Sequence, residues 1–296
     1  MSSKKELTIP IKKLKSGFSI PVIGFGTYLV GGHKEPDYSE DKKWIKVIKK
    51  VIASGYSYID TAEFYGGWGH AEELIGKAIK NHDRNNLFIT SRVDRSNLNY
   101  ENVIKSAKKS LQRLDTKYLD LYLIHSHNLE IPLKETMKAM DLLVEQGLVK
   151  NIGVSNFNIA QLKEAQKYSN NKIVANQVVY NLWRDDVKRK YVDIKTIKYC
   201  QKNDIIVIAH KPFHRGKVNE ERIEILSNLA KKYGKTEPQI VLNWLISKKN
   251  VVTIFKSGNI KHIKENKDIF DFKLTNSEQN QLDKIVENNQ KHPNPS

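Results

Sequence analysis

Four titratable side chains fall at or just beyond the ends of three successive apolar, β-rich runs: Asp60, Tyr65, Arg92 and His125. A carboxylate, a phenol, a guanidinium and an imidazole at one mouth shift one another's proton affinities, and acid–base catalysis is found in such clusters. Singly, each has a plainer reading: a strand-ending aspartate caps a helix, a rim tyrosine packs, a lone histidine is structural. Their convergence is harder to explain that way. Polar groups also end or follow later runs: Ser155-Asn156, Asn176-Gln177, His210-Lys211 and Lys256-Ser257. His125 and His127 alternate beside Ser126, but no third ligand stands at a convincing spacing, so no metal is expected.

Such positions need a frame that gathers strand ends. Strand patterns occupy 22–26, 57–60, 87–92, 119–125, 149–155, 173–180, 205–211 and 251–255. Their recurrence, roughly every thirty residues with helical patterns between, is that of a closed barrel of βα units. Leu119-Asp-Leu-Tyr-Leu-Ile124 and Ile205-Ile-Val-Ile-Ala209 are nearly continuous apolar runs, as parallel strands covered on both faces require. Among the helices, Ser39 is expected to cap one that carries Trp44, Ile48, Val51 and Ile52 inward and stops at Gly55. Residues 100–114 and 133–146 form two more, the latter ended by Gly147. Ser155-Asn156 is an N-cap candidate for 158–168, and Thr275 with Glu278 makes a capping box for a last, extra helix. Residues 7–20 read as a hairpin turning at Lys15-Ser16-Gly17, able to plug the barrel's N-terminal mouth. An open dinucleotide-binding sheet would need G-x-G-x-x-G; Gly24-Phe-Gly26-Thr-Tyr-Leu lacks the third glycine and an immediate helix. The expectation is one α/β domain over 1–296, a (β/α)8 TIM barrel with an N-terminal β-hairpin and a C-terminal extra helix.

The net charge of +17 asks for an anionic partner or for lysines spread over solvated helix faces, as at Lys46, Lys49 and Lys50. No dense basic tract interleaved with aromatics appears, so nucleic acid is not expected. No run approaches the ~18 apolar residues of a membrane helix. Met1 to Glu6 is polar, and the single Cys200 cannot form an internal disulfide; both fit a cytoplasmic setting. A monomer or small homo-oligomer is expected.

Several segments, in order, resemble the aldo-keto reductases over nearly the full length. They are Ile20-Pro-Val-Ile-Gly-Phe-Gly-Thr27, Gly55-Tyr-Ser-Tyr-Ile-Asp-Thr-Ala62 with Tyr65-Gly66, and Leu119-Asp-Leu-Tyr-Leu-Ile-His125. Gly153-Val-Ser-Asn-Phe157, Asn176-Gln177 and Lys256-Ser257 with Glu265-Asn266 complete the set. The resemblance implies NAD(P)H-dependent reduction of a small carbonyl compound, with a catalytic tetrad at Asp60, Tyr65, Arg92 and His125. Hydride would pass from the dihydronicotinamide to the carbonyl carbon while Tyr65 protonates the oxygen. A neighbouring cation would bring the phenol's pKa, ordinarily near 10, closer to the working range. Asp60 would hold the cation, and His125 would orient and polarise the substrate oxygen.

The family's cation is normally lysine, and here it is Arg92. Arginine keeps the charge and can pair with Asp60 through two nitrogens, but its planar fork is longer and broader than an ammonium. A competent enzyme of retuned geometry, a slower one, and a cofactor binder without turnover all remain open at this point, retained activity being favoured because Asp60, Tyr65 and His125 are present.

By the same resemblance Ser155, Asn156 and Gln177 meet the nicotinamide carboxamide, and Gly26, Thr27 and Tyr28 line its site. His210 stands where a tyrosine normally stacks on the ring, and Lys211, Pro212, Phe213 and Arg215, with His214 and Lys217 nearby, approach the pyrophosphate. Lys256 and Ser257 resemble the adenosine 2′-phosphate site, aided by a helix start near residues 259–260; Glu265 and Asn266 would contact adenine. His262 replaces an arginine there, a titrating group in place of a permanent cation. NADP(H) is therefore expected to be preferred, with NAD(H) possible. Tyr28, Phe64, Trp68 and Ser126 are the implied substrate pocket. The rival readings are a non-catalytic nicotinamide-binding regulatory protein, kept alive by Arg92 and His210, and a nucleic-acid binder resting on charge alone.

Overall fold

A computed structural model describes residues 8–183, 193–214, 216 and 223–291. Arg215, Lys217, residues 1–7 and the polar tail from His292 lie outside the described residues.

A short antiparallel pair, β1 (Ile11–Lys13) and β2 (Ser19–Pro21), precedes the barrel. The barrel strands are β3 (Ile23–Gly26), β4 (Tyr58–Asp60), β5 (Phe88–Val93), β6 (Leu121–Ile124), β7 (Ile152–Ser155), β8 (Ile173–Val179), β9 (Ile206–His210) and β10 (Val251–Phe255). All are parallel, in the closed order β10-β3-β4-β5-β6-β7-β8-β9. The eight expected strands are the eight observed: six are shortened, β5 is shifted one residue on and β10 keeps its expected bounds. Leu119 makes only an isolated bridge to Val149, so the runs from 119 and 149 start as strands two or three residues later.

The alternation explains the apolar runs. In β6, Leu121 and Leu123 pack in the barrel interior, whereas Tyr122 and Ile124 join the layer beneath the helices. Both faces are dry, so both must be apolar. The hairpin supplies Leu14, Phe18 and Ile20 to the interior cluster, closing the N-terminal mouth as the sequence implied.

Helices fill the outer ring: α1 (Asp41–Ala53), α2 (Tyr65–Ile79), α3 (Tyr100–Leu114), α4 (Leu133–Glu145), α5 (Ile159–Tyr168), α6 (Ile194–Lys202), α7 (Glu224–Tyr233), α8 (Glu237–Ser247), α9 (Ile260–Glu265) and the extra α10 (Asn276–Lys291). Ser39 does not cap α1: its N–H and hydroxyl both donate to Asp37 Oδ1, and the helix opens after Glu40 without a side-chain cap. The cap of α5 is Asn158, in a box with Gln161, rather than Ser155-Asn156, because Asn156 turns left-handed (φ 61°) between strand and helix. The Thr275–Glu278 box forms as read.

Tyr58 points into the barrel from β4 and lies across Gly24 of β3. A Cβ at Gly24 would stand 2.3 Å from the ring. Gly24→Ala is therefore expected to cost about 1–3 kcal/mol by overpacking, read as a lowered midpoint of thermal unfolding.

Candidate active site

The C-terminal ends of the strands open into a cleft of about 1050 Å³. Active sites of parallel barrels lie at this end because the strand-to-helix loops there are free to vary. Asp60 ends β4, Tyr65 opens α2, Arg92 is the penultimate residue of β5, and His125 follows β6. The structure brings all four together.

Arg92 is buried beneath the cleft, 1% exposed, and its fork is divided. Nη2 donates to Asp60 Oδ1, and Nη1 donates to the Tyr65 hydroxyl at 2.6 Å. Pairing with Asp60 through two nitrogens, one of the sequence expectations, does not occur: the second nitrogen is spent on the phenol. The other oxygen, Asp60 Oδ2, accepts from Gln177 Nε2 at 2.8 Å and from the Tyr58 hydroxyl at 3.2 Å. Arg92 Nε has no partner. The guanidinium pKa is raised: burial pulls it down, but the negative charges it faces, Asp60 first, win.

The expectation for Tyr65 is corrected in sign. Burial raises its pKa above the ordinary 10, Arg92 pulls it down, and Asp60 adds to the rise. Desolvation wins, so the phenol keeps its proton at neutral pH, the form a proton donor needs. His125 moves the other way, from 6.5 down to about 4, because burial and the charge of Arg92 both disfavour an imidazolium, with Asp94 opposing. Its Nδ1 stands 4.0 Å from Asp94 Oδ2 and has no hydrogen-bond partner. The imidazole is thus neutral through the physiological range. The unfolded chain takes up this proton near 6.5 and the folded chain only near 4, so this residue's contribution to stability is lost as pH falls between those values. The His125 ring, followed by NMR against pH, should accordingly show no titration near 6.5; an inflection of its own resonances there would contradict this environment.

Most of the remaining sequence candidates line the cleft. Gly26, Thr27, Tyr28, Phe64, Ser155, Asn156 and Gln177 surround the tetrad, and His210, Lys211, Pro212 and Phe213 continue along one wall. Lys256, Ser257, His262, Glu265 and Asn266 line the cleft too. The Ser155 hydroxyl donates to Gln177 O at 2.9 Å and accepts from Asn156 Nδ2 at 3.1 Å. Lys256 Nζ sits 5.0 Å from the centre of the Trp44 ring. Burial and the charge of Lys43 lower its pKa. Trp68 and Ser126 are not among the lining residues; Trp68 is half-exposed, with its ring edge-on to Phe64 at 5.1 Å.

Sequence reasoning missed Leu29, His33, Thr236, Pro238, Ile254 and Phe255, which also line the cleft. Thr236 with Gln239 is a capping box, a signal for the start of α8 at this mouth though not for a ligand. Leu29 and His33 carry no signal of their own; His33 reaches the site through Tyr28, whose hydroxyl lies 3.2 Å from its Nε2. Among the described residues no cluster of metal-ligating side chains occurs, and no helix is long and apolar enough to cross a membrane.

A phenol bridged to a buried cation and carboxylate, beside a cleft lined by amides and a lysine, marks a barrel enzyme of the oxidoreductase class. The chain belongs to the Aldo/keto reductase family, whose profile matches residues 22–287, and it is an oxidoreductase of that family. Glyoxal reductase of Bacillus subtilis is 34% identical over 96% of this chain and 95% of its own. The thermostable aldo-keto reductase Tm1743, solved with the inhibitor epalrestat, superposes with a TM-score of 0.85 at 43% identity, covering 94% of this chain and all of that one. An aldo-keto reductase from Klebsiella pneumoniae in complex with NADPH gives 0.80 at 29% identity, over 94% and 95% of the two chains.

Proposed function

We propose that this protein reduces the carbonyl of a small aldehyde or ketone, sugar-type carbonyls included, at the expense of NADPH, with Tyr65 as proton donor. The observation that carries the reading is Tyr65, which lines the cleft and whose hydroxyl accepts from Arg92 Nη1 at 2.6 Å. A bound dihydronicotinamide supplies the hydride. The donor set suits it: the Asn156 and Gln177 amides can match a carboxamide, and Lys256 offers a cation at the adenosine end. His210 is flat enough to lie along a ring, and Lys211 flanks the path of a pyrophosphate. NADPH bound to the Klebsiella relative supports the same cofactor for this chain.

The chain's own residues then divide the work. Neutral His125 donates to the carbonyl oxygen and polarises it. Tyr65 delivers its proton to that oxygen as negative charge develops, and Arg92 stabilises the phenolate left behind. Asp60 keeps Arg92 in place. Tyr28, edge-on to Tyr65 at 5.3 Å, and Phe64 exclude water from one side.

The test is purified protein with NADPH and a panel of aldehydes, followed by nicotinamide absorbance. Turnover supports the reading, and cofactor binding without turnover favours the regulatory alternative. Fluorescence titration at neutral pH should give NADPH about tenfold tighter binding than NADH, one charge-assisted contact at Lys256. Equal or tighter NADH binding would defeat the preference.

A further inference from the structure

We propose that Tyr58 is a positioning residue for this reaction: its buried hydroxyl fixes Asp60 from inside the barrel, and Asp60 thereby sets where Arg92 meets Tyr65. The inference rests on the functional reading above and extends it to a residue outside the cleft.

The argument starts from the rigidity of the guanidinium. Its two terminal nitrogens are held in one plane, so placing Nη2 against Asp60 Oδ1 also places Nη1 against the Tyr65 hydroxyl. The orientation of the Asp60 carboxylate is therefore the variable that aims the cation. Two donors hold its free oxygen, and they differ in kind. Gln177 belongs to the cleft wall, where the proposed carboxamide contact competes for its amide. Tyr58 is wholly buried and does not line the cleft, so nothing that enters the cleft reaches its hydroxyl. It is the anchor that stays put as the site fills.

The ring's surroundings show why the hydroxyl matters. Tyr58 meets Phe88 edge-on at 5.3 Å, its neighbour in the β4–β5 register, and Phe88 meets Phe18 of the hairpin edge-on at 6.0 Å. Gly24 leaves the space the ring fills. This aromatic packing would accept the ring of phenylalanine, while the hydroxyl end faces the polar groups of Asp60 and Thr90. A buried hydroxyl without an acceptor is costly, and the acceptor it has is Asp60 Oδ2. Phe18, Phe88 and Tyr58 thus carry a continuous aromatic contact from the barrel plug to the carboxylate of the tetrad.

Tyr58→Phe keeps the ring and removes the bond. The expected result is a kcat about tenfold lower, the scale of one hydrogen bond to a charged group, with KM and the NADPH Kd within about twofold. With Asp60 less neutralised, the Tyr65 phenolate is harder to form, so the Tyr65 limb of the kcat–pH profile moves to higher pH. A second readout needs no turnover: in 15N-arginine-labelled protein, the Arg92 side-chain resonance, assigned by its loss in Arg92→Lys, should move in Tyr58→Phe. An unmoved resonance overturns the proposal, whatever kcat does. So does unchanged kcat, or an equal loss in kcat and cofactor affinity. If the wild-type protein turns over no aldehyde, the functional reading fails, while the resonance still decides the role of Tyr58.

Discussion

Tyr65→Phe should lower kcat for aldehyde reduction by about 10²–10⁴-fold, the usual worth of a positioned general acid, and leave NADPH affinity within about threefold. The substitution removes one oxygen and retains a ring that stands edge-on to Tyr28 and His125, so the pocket wall survives. What disappears is the hydroxyl that accepts from Arg92 Nη1 at 2.6 Å, on a residue that lines the cleft. No nearby acid stands ready to replace it: His125 is neutral down to about 4, and in the proposed mechanism its single ring proton is engaged as a hydrogen bond to the substrate. A variant that retained more than about a tenth of wild-type kcat would assign the proton to another donor. Single-turnover kinetics would separate the chemical step from cofactor release, which limits turnover in many enzymes.

The second large effect is on stability. Arg92→Met should destabilise the protein by about 3–5 kcal/mol, because it strands a carboxylate that is 1% exposed without its cation. Gln177 and Tyr58 still donate to Asp60, but neither carries charge. Urea unfolding should show the loss, and adding Asp60→Asn to Arg92→Met should recover part of it, since the stranded charge is then gone. Arg92→Lys keeps a cation and should recover most of it. If Arg92→Met unfolds at the wild-type urea concentration, Asp60 is not the charge that Arg92 compensates.

The architecture was legible because it rests on periodicity. Strands such as 121–124 are apolar on both faces, and helices such as Tyr100–Leu114 put Val103, Ala107, Leu111 and Leu114 on one side, a local property of the chain. The meeting of Asp60, Tyr65, Arg92 and His125 was legible because they stand at or just beyond the ends of three successive strands; their catalytic roles belong to the proposal. What escaped was set by three-dimensional competition. Whether Arg92 gives both nitrogens to Asp60 depends on how near Tyr65 comes, and no spacing in sequence records that. The net direction of the Tyr65 pKa required weighing burial against Arg92, and burial exists only in the folded chain. Thr236, Pro238 and Leu29 entered the cleft wall because distant parts of the chain meet there; the capping box at Thr236 marks only the start of α8, and nothing marks Leu29.

The backbone that follows Tyr65 has a consequence for how this enzyme can change. Gly66, Gly67, Trp68 and Gly69 all hold positive φ, a left-handed turn at the head of α2. Side chains are poorly accommodated there on torsional grounds, and the neighbours close the remaining options. A Cβ at Gly67 would stand 2.2 Å from the backbone of Pro36, and one at Gly69 would stand 2.3 Å from the Arg113 side chain. Gly67 N–H also donates to His33 O at 3.1 Å, in the loop that borders the cleft. The segment bearing Tyr65, the proposed proton donor, and the loop that carries His33 are therefore interlocked. Directed evolution that reshapes residues 30–38 for a new substrate will have to carry this turn along, and libraries that vary either stretch alone should be depleted of active members.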